Sequence, residues 1–232
     1  PNIETTFGEA VCNHMHMQKI VRLFSHVETA LEIALMPSEA YTTEGSASGR
    51  VAALMVFRTF KSRPQTVFLP RAYEQQLRFI YSELDDVREL VLADRELPGD
   101  ERSEAEMTVF DFAKVARIAV HHTGGDFPNC IDTLEKQAAA QNVVVIQVWV
   151  KVSVPWVGAV VDILRGKGYL FGGALPRWFG DDGLLMQKLL VPPNFEDIVL
   201  YSDRAKRILD MVRDDWMRTQ PTGHPGDETK GS

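Results

Sequence analysis

His121-His122-Thr123-Gly124-Gly125-Asp126 is the stretch of this 232-residue chain whose residue types and spacing come nearest to chemistry. Histidine is the side chain most easily tuned for proton transfer near neutral pH, and one of His121 and His122 must face the cleft side of the strand they end. Gly124 and Gly125 let the backbone approach a bound group, and a helix opening near Pro128 favours an anion at its first amides. The same residues also read as a solvent-facing strand end, a tight turn and a helix cap at Asp126. Cys12, His14 and His16 alternate, so on a strand they would share a face; one thiolate and two imidazoles with an open fourth position suit a catalytic zinc. The competing reading is a loop-to-helix junction, and no metal is assigned. Cys130 lies near the same helix start, which would lower its pKa; a buried structural thiol is the alternative. Arg177, Trp178, Phe179, Asp181 and Asp182 could form a substrate rim, a partner surface, or aromatics folded back onto the core. No Ser-His-Asp, Cys-His or paired-carboxylate set follows from spacing.

The totals limit what these groups could serve. Lys and Arg number 25 against 32 Asp and Glu, a net charge of −7, which argues against nucleic acid or an anionic membrane as partner. No apolar run approaches the ~20 residues that span a bilayer. Two cysteines and no secretory leader point to a reducing, cytoplasmic setting without a disulfide framework.

The elements that must position the candidates are legible from periodicity. Phe112–His122 and Val143–Val152 alternate as strands, with Ala116, Ile118 and Val120 on one face of the first and Ile146, Val148, Val150 and Val152 on one face of the second. Between them Ile131, Leu134 and Ala138 mark a helix. After them come a helix capped at Ser153 and ended by Gly166 or Gly168, strands at Tyr169–Ala174 and Leu184–Val191, and a helix from Asp203 to Met217. In that last helix Asp203 pairs with Arg207 and Lys206 with Asp210 by spacing. Upstream, Met17–Phe24 is helical and Glu28–Met36 fits helix or strand. Val51–Phe60 and Thr66–Leu69 are strands, and Tyr73, Leu77, Ile80, Tyr81 and Leu84 make one helical stripe. Thr42–Gly49 and Leu97–Glu106 read as linkers. The expected organisation is an α/β part over residues 1–96, a second domain over 107–218, and a disordered tail over 219–232.

The order strand, glycine turn, helix, long strand, helix, strand, strand resembles the conserved half of the GNAT N-acetyltransferase superfamily. Gly168-Tyr169 stands at its Gly-aromatic helix end, and GYLFGGALPRWF with DGLLMQKL at its closing strand pair. The resemblance implies a mixed α+β fold, a GNAT-like mixed sheet flanked by helices. It further implies the end of one module in the first part, where Ser25-His26 stands for Gly-Phe, and most of a second module after it. Bacterial multidomain proteins with tandem GNAT-like modules look similar overall. The implied activity is acyl transfer from acetyl-CoA or another acyl-CoA to a small-molecule or peptide amine. Thr123, Gly124, Gly125 and Asp126 would hold the pyrophosphate; Val148 and Val150, on a strand splayed from its neighbour, would hold pantetheine; His121 or His122 would be the base. The family's loop carries Arg or Gln before its glycines, whereas Asp126 here adds a negative charge. Two like charges ~4 Å apart repel by about 4 kcal/mol at an effective dielectric near 20. The rival expectation is therefore a non-catalytic interaction or sensor module on the same scaffold, with a second copy or another protein as partner. A zinc enzyme using Cys12, His14 and His16 is the third.

Overall fold

The computed structural model describes residues 3–41 and 49–220. Most of the Thr42–Gly49 stretch and the tail after Gln220 lie outside the described residues. The fold is mixed α+β. In chain order the elements are β1 (Thr5–Val11), α1 (His16–Leu23), β2 (Val27–Pro37), β3 (Arg50–Thr59), β4 (Gln65–Leu69), α2 (Glu74–Tyr81) and β5 (Arg88–Leu92). There follow β6 (Glu104–Phe110), β7 (Val115–His122), α3 (Phe127–Ala140), β8 (Val145–Lys151), α4 (Val157–Gly166), β9 (Leu170–Leu175), β10 (Gly183–Leu189) and α5 (Asp203–Arg218). Eight strands form one sheet in the order β1-β3-β2-β9-β10-β8-β7-β6, and β4 and β5 form a parallel pair beside it. Strands from both sides of the Leu97–Glu106 segment thus share a sheet, and the end of that segment is itself the start of β6.

Alternation decides which side is covered. Leu54 and Val56 of β3, and Val148 and Val150 of β8, enter the main core with the inner faces of α2, α3, α4 and α5. Met55, Phe57 and Trp149, one residue out of phase, join Ala30, Leu175 and Leu185 in a smaller cluster on the opposite face, to which no helix contributes. The two faces close differently because the sheet curls. β1 and β7 are six steps apart in the strand order, about 29 Å if flat at ~4.8 Å per step. Yet the Arg117 guanidinium on β7 lies 3.4 Å from the Glu9 carboxylate on β1.

The sheet contains an internal repeat. In β1-α1-β2-β3 the last strand inserts antiparallel between the first two, and β8-α4-β9-β10 does the same. The helix ends match bond for bond. Ser25 N–H donates to Arg22 O (2.9 Å) and His26 N–H to Val21 O (3.1 Å), while Gly168 N–H donates to Arg165 O and Tyr169 N–H to Leu164 O (both 3.0 Å). Both caps turn left-handed, with φ of 56° at Ser25 and 85° at Gly168. The interval that carries Ser25 to Gly168 also carries Ala34 (φ 52°) to Arg177 (φ 56°) and Ala30 to Gly173. Ala30 and Gly173 are the pair that joins β2 to β9. A local two-fold axis therefore runs between them, with α5 packed over the seam from Ala205, Ile208 and Val212.

One open reading is resolved and two local expectations are corrected. The Glu28–Met36 run is strand. Ser153 caps nothing: α4 starts at Val157 behind Trp156, without a side-chain cap. In α5, Lys206 pairs with Asp203 (2.9 Å) one turn back rather than with Asp210. β3 and β4 lie in different sheets.

A Cβ at Gly173 (φ 128°) would stand 2.3 Å from Thr29 O and 2.4 Å from Ala30 Cα, both backbone that cannot yield. Gly173→Ala is expected to cost about 3 kcal/mol in urea unfolding, from overpacking and strain together. Gly166→Ala, at a helix end with open space around it, is expected to leave stability unchanged or raise it. Equal midpoints for the two variants would refute the seam as a close contact.

Candidate functional site

The glycine turn sits at the C-terminal end of β7, as the sequence implies, with α3 starting at Phe127 behind it. What covers it is the Leu97–Ser103 segment. Gly125 N–H donates to Pro98 O (2.9 Å) and Gly124 N–H to Ser103 Oγ (3.0 Å). Asp126, instead of facing a ligand, accepts from Ser103 N–H (2.7 Å), and this bond holds its carboxyl below the usual range. It does not cap α3 through its side chain. The approach is too close for any side chain at Gly124, where a Cβ would lie 2.1 Å from Glu101 O. The amides of Gly124 and Gly125, two of those that the resemblance assigns to a pyrophosphate, are thus bonded to the chain itself.

The neighbouring candidates are also engaged. His122 Nε2 lies 2.5 Å from Glu101 Oε2, and His121 Nε2 is 3.9 Å from Glu106 Oε2, with its ring edge-on to Phe179. Thr123 Oγ1 accepts from Trp156 Nε1 (2.7 Å). β7 and β8 pair in parallel without interruption from Val115–Val145 to Val120–Val150, and β10 occupies the other edge of β8. Val148 and Val150 are buried toward the helices, and no splayed edge is open beside them. Past Val150 a gap of about 140 Å3 remains among His122, Thr123, Lys151, Ser153 and Asp181, the volume of about five waters. That is far short of a pantetheine channel.

The other candidates separate, except that the His14 and His16 rings lie 5.1 Å apart. Cys12 is buried, its thiol turned to Ala10 O (3.6 Å) and pushed up to about 12 by burial, while His16 starts α1. Among the described residues no group of three His, Cys, Asp or Glu side chains could hold a metal. The Cys130 thiol is raised rather than lowered, by burial and then by the charge of Asp126, which overrides the helix start. Trp178 folds back, 4.8 Å edge-on from both Phe7 and Trp149. Arg177 and Asp182 are fixed in a buried network: Arg177 Nε donates to Asp86 (2.8 Å) and Arg88 Nε to Asp182 (2.6 Å). Two guanidiniums against two carboxylates leave no net charge there, the condition under which such a cluster is tolerated in a core.

A second constellation has no counterpart in the sequence reading. Where the sheet curls, Arg117 Nη2 donates to Glu32 Oε1 (2.9 Å) and to Glu9 Oε1 (3.4 Å), and its Nε to Gln147 Oε1 (2.7 Å); Gln147 Nε2 donates to the same Glu32 oxygen (2.8 Å). Glu32 is wholly buried and, among the described residues, its Oε2 accepts no hydrogen bond. Beside it β2 is irregular, slipping register between Glu32 and Met36 with Ala34 in the left-handed region. Such a bulge bends a strand and re-aims its side chains. Arg117 and Glu9 line a cavity of about 250 Å3 walled by Val11, Val51, Phe110 and Val115.

Burial dominates Glu32 and raises its carboxyl to about 7 from 4.5, against the pull of Arg117. A folded pKa above the unfolded one means that this group's stabilising contribution is complete below pH ~4.5 and is lost as pH rises through ~7. Unfolding free energy of the native chain, relative to Glu32→Gln, should therefore fall over that window by on the order of 3 kcal/mol. A pH-independent difference in chemical denaturation would contradict it.

Exchange of the Gly124 and Gly125 amides tests the covered turn. Ser103→Ala should speed Gly124 by about tenfold, one hydrogen bond's worth, and Gly125 much less. Identical Gly124 rates in both proteins would place the segment elsewhere. No protein-family model, curated protein or solved structure matches this chain.

Proposed function

We propose that this chain is a non-catalytic binding or sensor module on an acyltransferase-like scaffold. The observation that carries the reading is the glycine turn. Its two amides donate to Pro98 O and Ser103 Oγ, and the segment that supplies these acceptors is acidic. A pyrophosphate would have to displace both bonds and enter beside Glu101 and Asp126, whose charges oppose it. The order of elements from β7 to β10 supports the GNAT-like scaffold, and the repeated strand–helix–strand–strand unit supports a partial module ahead of a fuller one. Two free cysteines favour a cytoplasmic setting; among the described residues no helix is long and apolar enough to cross a membrane.

The rival, an active N-acyltransferase with His122 as base, requires acyl-CoA to bind. Calorimetric titration with acetyl-CoA at high micromolar concentration is expected to give no binding heat. A saturable isotherm with Kd below ~1 mM would restore the enzyme reading.

A further inference from the structure

The mouth of the curled sheet lies at the opposite end of β7 from the glycine turn, so what it binds is independent of whether acyl-CoA does. Two features coincide there. The first is the cavity of about 250 Å3, the space of about eight waters, with apolar walls. The second is charge. Glu9 and Glu32 share one guanidinium, that of Arg117, so with both carboxylates ionised the cluster carries one uncompensated negative charge.

We propose that this cavity binds a small apolar monocation of the alkylammonium type, its head against Glu9 and its alkyl part against Val11, Val51, Phe110 and Val115. A carboxylate ligand would meet two carboxylates already sharing the guanidinium, and is disfavoured. An uncharged ligand leaves the charge imbalance in place. An ammonium corrects it. Glu32 does not touch the ligand; it is a positioning residue that acts through Arg117. When an ammonium takes up Glu9, the guanidinium is left to Glu32, whose ionised form is then the favoured one. Binding near neutral pH therefore releases a proton from Glu32 to the buffer.

The proposal is tested on the full chain by calorimetry at pH ~7 with n-butylammonium, n-butyrate and n-butanol as probes, in two buffers of different ionisation enthalpy. The expected result is saturable n-butylammonium binding in the millimolar range or tighter, at least ~10-fold tighter than either other probe. The observed heat should differ between buffers in the sense of proton release. Glu9→Gln, a change at the partly exposed rim, should weaken binding ~10-fold. Glu32→Gln should abolish the buffer dependence; as its fold could be altered, its circular dichroism is compared with that of the native chain. Equal binding of butyrate or butanol, no butylammonium binding up to ~10 mM, or undiminished binding by Glu9→Gln would each overturn it. Buffer-independent heat in the native chain would overturn the role of Glu32.

Discussion

The close contact between β2 and β9 is the constraint on which the rest of the structure depends. Only Ala30 and Gly173 register across it, and a side chain at Gly173 would collide with the backbone of Thr29 and Ala30. Through that narrow join two strand–helix–strand–strand units become one sheet. The helix above it is held by polar side chains: Arg204 donates to Glu28 O (2.9 Å) and Ile80 O (2.6 Å), and Asp215 accepts from Tyr73 Oη and Phe171 N (both 2.7 Å). Each is buried and each is met, the condition for a polar group in a core. The same two-fold arrangement brings the outer strands round until β1 faces β7, and the Glu9–Arg117–Glu32 cluster is a product of that curl.

The sequence made the central strands readable because their periodicity is local. Ile146, Val148 and Val150 advertise one face of β8, and Tyr73, Leu77 and Ile80 one face of α2. The edges were harder. β1 reads TTFGEAV and β6 EAEMTVF, both too polar to stand out, because an edge strand faces water along much of its length. Glu28–Met36 was ambiguous because β2 is buried on both faces and its apolar run lacks alternation. Repeat-level similarity was visible only as Ser25-His26 against Gly168-Tyr169; the chain elsewhere keeps the conformations and changes the residues.

The site was legible in place but not in state. The glycine turn, the strand end and the helix start are where the sequence put them. What no pattern could reveal is that the acidic Leu97–Ser103 segment comes back to bond with the turn, since that is a contact between segments with no shared periodicity. Glu32 was hidden for the opposite reason. A carboxylate inside an apolar strand, and β2 holds both Glu28 and Glu32, gives no signal until folding brings its partners, here Arg117 and Gln147, from distant strands. Net charge, which spoke against large anionic partners, is silent about a local cluster of three charges.

The internal repeat also makes the two ends of the sheet unequal. β8 and β1 are counterparts, yet β8 is flanked by β7 and β10, whereas among the described residues β1 has only β3 beside it. At the far end, β6 carries Glu104 and Glu106 with their side chains in solvent, and a second copy of that strand would meet its own charges. Among the described residues the outer border of β1 has no strand partner, with Phe7 half exposed at its centre and only Glu9, already committed to Arg117, as a charge. Like-charge protection thus exists at one border and not at the other. Crowding the protein should therefore provoke edge-to-edge association from the β1 side alone, giving discrete pairs instead of filaments, because growth needs two receptive borders and this sheet has one.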